Sequence, residues 1–487
     1  MVDKPTAEDT KAPADKPKNV KRNRKHIKML SAFAVLFGII AMMACLTWVI
    51  PSGKYNLVSD PNNPSETIRE AGTYQEIPKI ETVLNDETGE TSTIDHRQGL
   101  WDIFMAPIKG MSDRLDVIVF VLILGVFLGV VMKTGALDAA LGGLLKKMNG
   151  KEKWLIPILM TLFAIGGTTY GMQEEAVAFY ALIVPVMIAA GYNAMTAVLI
   201  IVLGGGVGVL ASTVNPFSTG IAARTANVQL GSILWIQALV LIAMLIIAII
   251  FTMRYAAKVK AGKYKEDSSL ASTFKALDLE AVPEYTKKRK AIMGIFALTF
   301  IIMIISLIPW TNFHITIFED FHTWLASIPL FSAIIIDGAE QLLSVSVIIA
   351  VAAAVSIVMR NGGIEDTIIH WGETGLKNSN GGVVGILAYL FYLPLSFIIP
   401  SSSGLAAASM PIIAPVADLV GSTKETMVVA FATANGLLNM IAPTIASLMA
   451  GLTLAGVSYK TWVKRVLPVM FIFVVISLVA VFVMGVI

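Results

Sequence analysis

Charge is what this sequence has least of. Only 15% of its 487 residues are Asp, Glu, Lys or Arg, against 56% hydrophobic, whereas soluble domains carry about a quarter charged residues. That shortage excludes an ordinary water-soluble domain. The 37 basic and 34 acidic residues leave a net charge of +3, too even for a nucleic-acid partner. Cysteine is scarcer still: Cys45 stands alone in an apolar run, so neither a disulfide framework nor a thiolate metal site can form. The five histidines, His26, His96, His314, His322 and His370, fall outside the expected membrane core and no HExxH spacing exists, so zinc is not expected, nor any cofactor other than a coupling Na⁺ or H⁺. GxxxxGK[ST] is missing as well, so ATP does not drive the chain directly. Nothing resembles a nucleophile and its base, and an enzyme is not expected.

What the chain has is apolar length. Runs approaching the roughly twenty residues that cross a bilayer occupy 29–50, 116–133, 194–211 (continuing brokenly past Pro216), 232–253, 291–308, 323–336, 341–359, 424–445 and 463–486. The expectation is an all-α integral membrane protein with nine crossings. The run 323–336 is short, and a re-entrant or interfacial segment is its alternative. Seven basic residues between Lys16 and Lys28 place a tail, 1–28, in the cytoplasm by the positive-inside rule. No small-residue cleavage pattern follows, so the first run reads as an uncleaved span. Segment 51–114, with eleven acidic and six basic residues, then falls outside as a small subdomain or loose loop. The ten basic residues from Arg254 to Lys290 mark a cytoplasmic linker, 255–290, between halves at 29–254 and 291–487. Nine crossings leave the C-terminus outside.

The halves echo one another. Val131-Met-Lys-Thr-Gly135 recurs as Val358-Met-Arg-Asn-Gly362, 227 positions on. Each is followed by an apolar run that breaks in a polar tip, GGTTYGMQEEA in the first half and IIPSSSGLAAA in the second. The expected hairpins are 154–190 and 383–420. A helix broken at Ser212-Thr-Val-Asn-Pro216 answers one broken at Asn439-Met-Ile-Ala-Pro-Thr444, with the prolines again 227 apart. Hairpins entering from opposite faces and meeting broken helices near the midplane are the pattern of inverted-repeat transporters. A proline or glycine alone is a kink or a packing point, and Gly204-Gly-Gly206 suits close helix packing equally well.

Two carboxylates, Glu174 and Glu175, stand in the first tip, and ionisable residues at membrane depth mark solute paths. Adjacent on a helix they point about 100° apart, so one is expected on substrate and the other on the tip's own backbone. Capping a helix start is the competing role for either. Thr168, Thr169 and Gln173 are further candidates there, with Ser212, Thr213 and Asn215 at the first break. The second half offers Ser401, Ser402, Ser403, Asn435, Asn439 and Thr444. Ser212, Asn215 and Asn439 are also the candidates for a sodium ion.

GMQEEAVAF, the Gly191-Tyr192 turn, the Asn215-Pro216-Phe217 break and SSSGLAAASMPIIAPVADLVG resemble the YfcC/ArcD-type basic amino acid antiporter group. That group is related to the DcuC C4-dicarboxylate carriers of the ion transporter superfamily, and the likeness runs from about Met29 onward. It implies two re-entrant hairpins, an elevator-like motion of the hairpin-bearing half against a scaffold, a bacterial cytoplasmic membrane and often a homodimer. Two readings share the pocket. One is an exchanger of arginine, ornithine or similar amino acids, with a glutamate on the cationic end and the serine tip or Asn215 on the carboxylate. The other is a Na⁺- or H⁺-coupled C4-dicarboxylate or peptide carrier, with the glutamates serving the coupling ion. A membrane-embedded enzyme or a channel is the third class, and closed tips argue against an open pore.

Overall fold

In hydrocarbon, backbone amides must pair within the protein, and the apolar runs of this chain accordingly coil. The computed structural model describes residues 32–60, 63–84, 91–148, 150–215, 217–264, 283–307, 339–377 and 383–486, and these are mainly helical. The first half contains α1 (Ala32–Val49), α2 (Leu100–Asp113), α3 (Leu115–Lys133), α4 (Ala136–Met148), α5 (Leu155–Tyr170), α6 (Tyr180–Ala189), α7 (Ala194–Leu210), α8 (Thr219–Thr225) and α9 (Leu230–Lys260). The second contains α10 (Lys287–Leu307), α11 (Ala339–Asn361), α12 (Ile364–Lys377), α13 (Val384–Ile398), α14 (Ser402–Leu419), α15 (Lys424–Asn439), α16 (Ala446–Ala455) and α17 (Tyr459–Val486). The order α5 to α9 recurs as α13 to α17: two helices joined at a tip, a helix that stops, a short helix and a long one. The tail 1–28, the run 323–336 and Pro216 lie outside the described residues. The linker starts later than expected, because α9 stays helical to Lys260.

Among the described residues, α9, α14 and α17 are each long and apolar enough to cross a bilayer. α11 from Ser346 passes the same test only together with α12, which turns 75° away from it. α12 carries Glu365, Asp366, His370, Glu373 and Lys377, and such an amphipathic helix suits an edge rather than a crossing. α7 and α15 are buried along almost their whole length; α7 is apolar all round, as inner helices are, and α15 carries Thr433, Asn435 and Asn439 into the interior. They cross where Gly436 lies on the backbone of Leu210, leaving no room for a Cβ. Gly208 meets the Ala164 carbonyl of α5 in the same way, and Gly204 touches Met160, so packing accounts for that glycine-rich stretch.

α9 ties the two ends of the bundle together. Near its start, Ser232 Oγ donates to Glu425 Oε1 at 3.3 Å, just beyond the turn that closes the α13/α14 pair. Near its end, Asn193 Nδ2 donates to Tyr255 Oη at 3.0 Å and Lys260 Nζ lies 3.4 Å from Glu152 Oε2, at the base of the α5/α6 pair. The two bases therefore lie at opposite ends of a helix that rises about 1.5 Å per residue.

One expectation needs correction: the chain is not all-α. Residues 52–95 form six short strands, β1 (Ser52–Lys54), β2 (Leu57–Asp60), β3 (Asn63–Arg69), β4 (Gln75–Ile77), β5 (Ile80–Leu84) and β6 (Thr91–Asp95). They pair antiparallel as β1·β4, β2·β3 and β5·β6. Ile80-Glu-Thr-Val-Leu84 and Thr91-Ser-Thr-Ile-Asp95 are rich in β-branched residues, which favours strands. The end of the same polar segment is α2, whose Gly110 nests on the Ala350 backbone of α11.

α12 holds the strands in place. Gly53 N–H donates to Gly363 O at 2.9 Å, and Arg69 grips Asp366 at 2.6 Å and Glu365 at 3.0 Å. Tyr55 Oη, Lys377 Nζ and His370 Nδ1 lie 3.0, 2.7 and 3.2 Å from the Glu373 carboxylate. Burial pushes this carboxyl up, but those contacts outweigh it and hold the pKa below its ordinary 4.5. A depressed carboxylate stabilises the fold above its unfolded pKa, and the contribution disappears as pH falls through the folded value. Acidification below pH 4.5 is expected to loosen the strands from α12. Limited proteolysis between 51 and 97 should become faster there, and much less so in a Glu373→Gln variant, which is already loosened at neutral pH. Equal acid sensitivity in the two proteins would remove Glu373 as the cause.

Candidate functional site

Gly171 ends α5 with φ 78°, a left-handed cap whose N–H turns back to Gly166 and Gly167. Its missing side chain matters twice, because a Cβ there would also strike the Asn215 amide. The first tip thus rests directly on the first helix break. Thr168 Oγ1 reinforces the contact: it lies 3.0 Å from Ala211 O, 3.1 Å from Thr213 Oγ1 and 3.0 Å from the Thr213 N–H that donates to it. Asn215 in turn shapes the break, its Oδ1 accepting from Phe217 N–H at 2.9 Å and its carbonyl from Gly220 N–H at 2.7 Å.

The second tip is built alike with different chemistry. Ser401 caps α14 by accepting from Gly404 N–H at 3.1 Å, which satisfies one of the free amides at a helix start. Ser402 Oγ donates to Asn435 Oδ1 at 2.6 Å, and Asn439 Nδ2 reaches both Ser402 Oγ and Asn435 Oδ1 at 3.1 Å. Thr444 Oγ1 donates to Phe397 O at 2.9 Å, fastening this break to its hairpin as Thr168 and Thr213 fasten the other.

Both tips and both breaks open onto one cavity of about 320 Å³, within the range of small-molecule sites. Gln173, Glu174, Glu175 and Asn215 line it from the first half, and Ser401, Ser402, Ser403 and Thr444 from the second. The remaining candidates lie elsewhere. Thr168 and Thr213 bond each other behind the cavity, and Thr169 Oγ1 turns back to Ile165 O at 2.7 Å. Ser212 and Asn435 are fully buried behind the wall. Asn439 borders a separate void of about 30 Å³ that also touches Gln173. Glu174 and Glu175 both line the cavity, and Glu175 Oε2 also accepts from Gln173 N–H at 3.3 Å, a contact with the tip's own backbone.

Sequence reasoning missed one wall. Asp113 and Arg114, at the junction of α2 and α3, line the cavity together with Ile349, Ala352 and Ser356 of α11. The only hint in the sequence was two opposite charges directly before an apolar run. With them the lining holds three carboxyl groups (Asp113, Glu174, Glu175) and one guanidinium (Arg114), acidic side chains outnumbering basic ones.

A polar cavity enclosed by helix tips and interrupted helices inside an apolar bundle defines a membrane transporter of small solutes. The chain belongs to the DcuC family: the family model, described as C4-dicarboxylate anaerobic carrier, matches residues 29–486. It is 31% identical over 485 residues to an uncharacterized protein of Haemophilus influenzae, covering 92% of this chain and 95% of that one. It is 27% identical over 477 residues, covering 90% of this chain and 92% of the relative, to an Escherichia coli protein named "Putative basic amino acid antiporter YfcC". Among solved structures, the YdaH transporter of Alcanivorax borkumensis aligns at 14% identity and TM-score 0.41, over 93% of this chain and 98% of that one. MtrF of Neisseria gonorrhoeae aligns at 16% and 0.40, over 94% and 95%.

Proposed function

We propose that the chain is a secondary antiporter of basic amino acids such as arginine and ornithine, working by alternating access. The excess of acidic side chains in the cavity carries this reading, since a lining with three carboxyl groups and one guanidinium favours a solute bearing extra positive charge. The name of the Escherichia coli relative points the same way. Exchange of like-charged solutes needs no coupling ion.

The α5/α6 and α13/α14 pairs are, on this reading, re-entrant hairpins of an inverted repeat. Their bases at opposite ends of α9 support that arrangement. The hairpin-bearing bundle moves elevator-fashion against α1, α2, α3 and α11, which pack on one another. The protein sits in a bacterial cytoplasmic membrane as a homodimer, with the basic tail inside and the C-terminus outside.

Two observations favour the second reading, a Na⁺- or H⁺-coupled carrier of C4-dicarboxylates or peptides. The starts of α14 and α16 line the same cavity through Ser401, Ser402 and Ala446, and helix N-termini attract anions. Ser212 Oγ and Asn439 Oδ1 are buried with no protein partner among the described residues, and oxygens of that kind suit a hard cation. Uptake into liposomes separates the two. Vesicles loaded with ornithine should take up labelled arginine without any ion gradient, and empty vesicles should not. Malate uptake driven by a sodium or proton gradient, with no arginine exchange, would replace the first reading by the second.

A further inference from the structure

Arg114 is the one cationic side chain lining the cavity among the described residues. Its backbone, at φ −121° and ψ 26°, leaves the helical region between α2 and α3 while its N–H still bonds Gly110 O at 3.1 Å. Because Gly110 is seated on Ala350, the junction is held against α11 and the side chain is delivered to the wall that α11 shares. Its neighbours leave it loosely engaged. Arg114 Nε is 3.4 Å from Asp113 Oδ2, and Asp113 lies 3.8 Å from Arg360 Nη1 as well. Charge-assisted N–H to carboxylate bonds normally close to about 2.7–2.9 Å, and a guanidinium binds best with two parallel ones. Among the described residues no carboxylate meets the Arg114 fork in that way.

We propose that Arg114 reads the carboxylate of the substrate: its fork leaves Asp113 and takes two oxygens of the solute, whose cationic end turns to Glu174 and Glu175. This rests on the basic amino acid reading above and sharpens it to a substrate class, α-amino acids with a cationic side chain rather than the corresponding amines. A cavity with carboxylates alone would accept a diamine or a guanidino-amine as readily as an amino acid. A site with a guanidinium waiting for a carboxylate rejects the analogue that lacks it, because the guanidinium stays unpaired. Lysine would not replace Arg114 in this role, since it keeps the charge but not the planar fork.

The test measures binding of arginine, agmatine (arginine without its carboxylate) and malate to the purified protein and to Arg114→Gln, Arg114→Lys and Arg360→Gln. Arg114→Gln should lose arginine affinity by about tenfold to a hundredfold while agmatine binds as before or more tightly, which also shows the cavity intact. Arg114→Lys should fall between, and Arg360→Gln, outside the cavity lining, should match the parent. Unchanged arginine affinity in Arg114→Gln, or equal losses for arginine and agmatine, would overturn the assignment. If the parent protein binds malate and not arginine, the basic amino acid reading fails. Malate affinity in Arg114→Gln then decides the guanidinium's role by itself, a loss supporting it and no change overturning it. A parent protein that binds none of the three overturns both.

Discussion

Changing Glu174 and Glu175 together to Gln is expected to cut the affinity for arginine or ornithine by about tenfold to a hundredfold, with neutral amino acids far less affected. Gln keeps the length and shape of Glu, and its carbonyl oxygen can still accept the Gln173 N–H that Glu175 accepts now. The change removes charge and turns one acceptor oxygen into an NH₂ donor. A hydrogen bond to a charged group contributes about 1.5–3 kcal/mol in a protein setting, and about 1.4 kcal/mol is tenfold in binding. At least one single variant should show most of the loss, since adjacent side chains diverge on the tip. A glutamate that instead cycles a coupling proton has a different signature: the variant still exchanges solute, and accumulation driven by a pH gradient disappears. Competition binding and liposome exchange, run on both single variants and the double one, distinguish these outcomes. Parental affinity, selectivity and pH dependence in all three would reduce the pair to a helix cap.

Gly436→Val is expected to be the most damaging single change in the membrane bundle. A Cβ at 436 would overlap the N and Cα of Leu210, and backbone cannot rotate aside. α15 would have to move off α7 at the point where the two interrupted helices cross. Overpacking a filled interior typically costs about 1–3 kcal/mol and occasionally more, and displacement of two fully buried helices belongs at or above the top of that range. Gly38→Val is the matched control. There a Cβ meets no atom within 4 Å. Thermal melting with size-exclusion monitoring should show Gly436→Val poorly folded and Gly38→Val near the parent. Equal melting temperatures would mean that α7 and α15 do not meet as described.

The tips and breaks were legible because polar residues in an apolar chain stand out without any three-dimensional knowledge. Glu174, Glu175 and the Ser401 to Ser403 run announce themselves, and Gly171 and Pro400 mark where helices stop. Sorting the hydroxyls was beyond reach. Thr168 and Thr169 are neighbours of one type, yet Thr168 clasps the helix break while Thr169 bonds its own helix, a difference set by about 100° of helical rotation. Arg114 escaped for the opposite reason. It reads as the last residue of a polar segment, and only the seating of α2 on α11 carries it to the cavity wall. The strands of 52–95 were hinted at by β-branched residues such as Ile80, Thr82, Val83, Thr91, Thr93 and Ile94, but in a segment so polar that signal competes with a solvated loop.

The clasps on the two helix breaks bear on speed. Thr168 with Thr213 on one side, and Thr444 with the Phe397 carbonyl on the other, join each tip to its broken helix as a single body. A tip so fastened does not swing like a lid on the fast timescale of loops. On the elevator-like mechanism proposed above, access to the cavity comes from displacement of the whole block, a collective motion of microseconds to milliseconds. Such a block drags its lipid boundary with it, so turnover should respond to the thickness and stiffness of the surrounding bilayer more than to the flexibility of the tips.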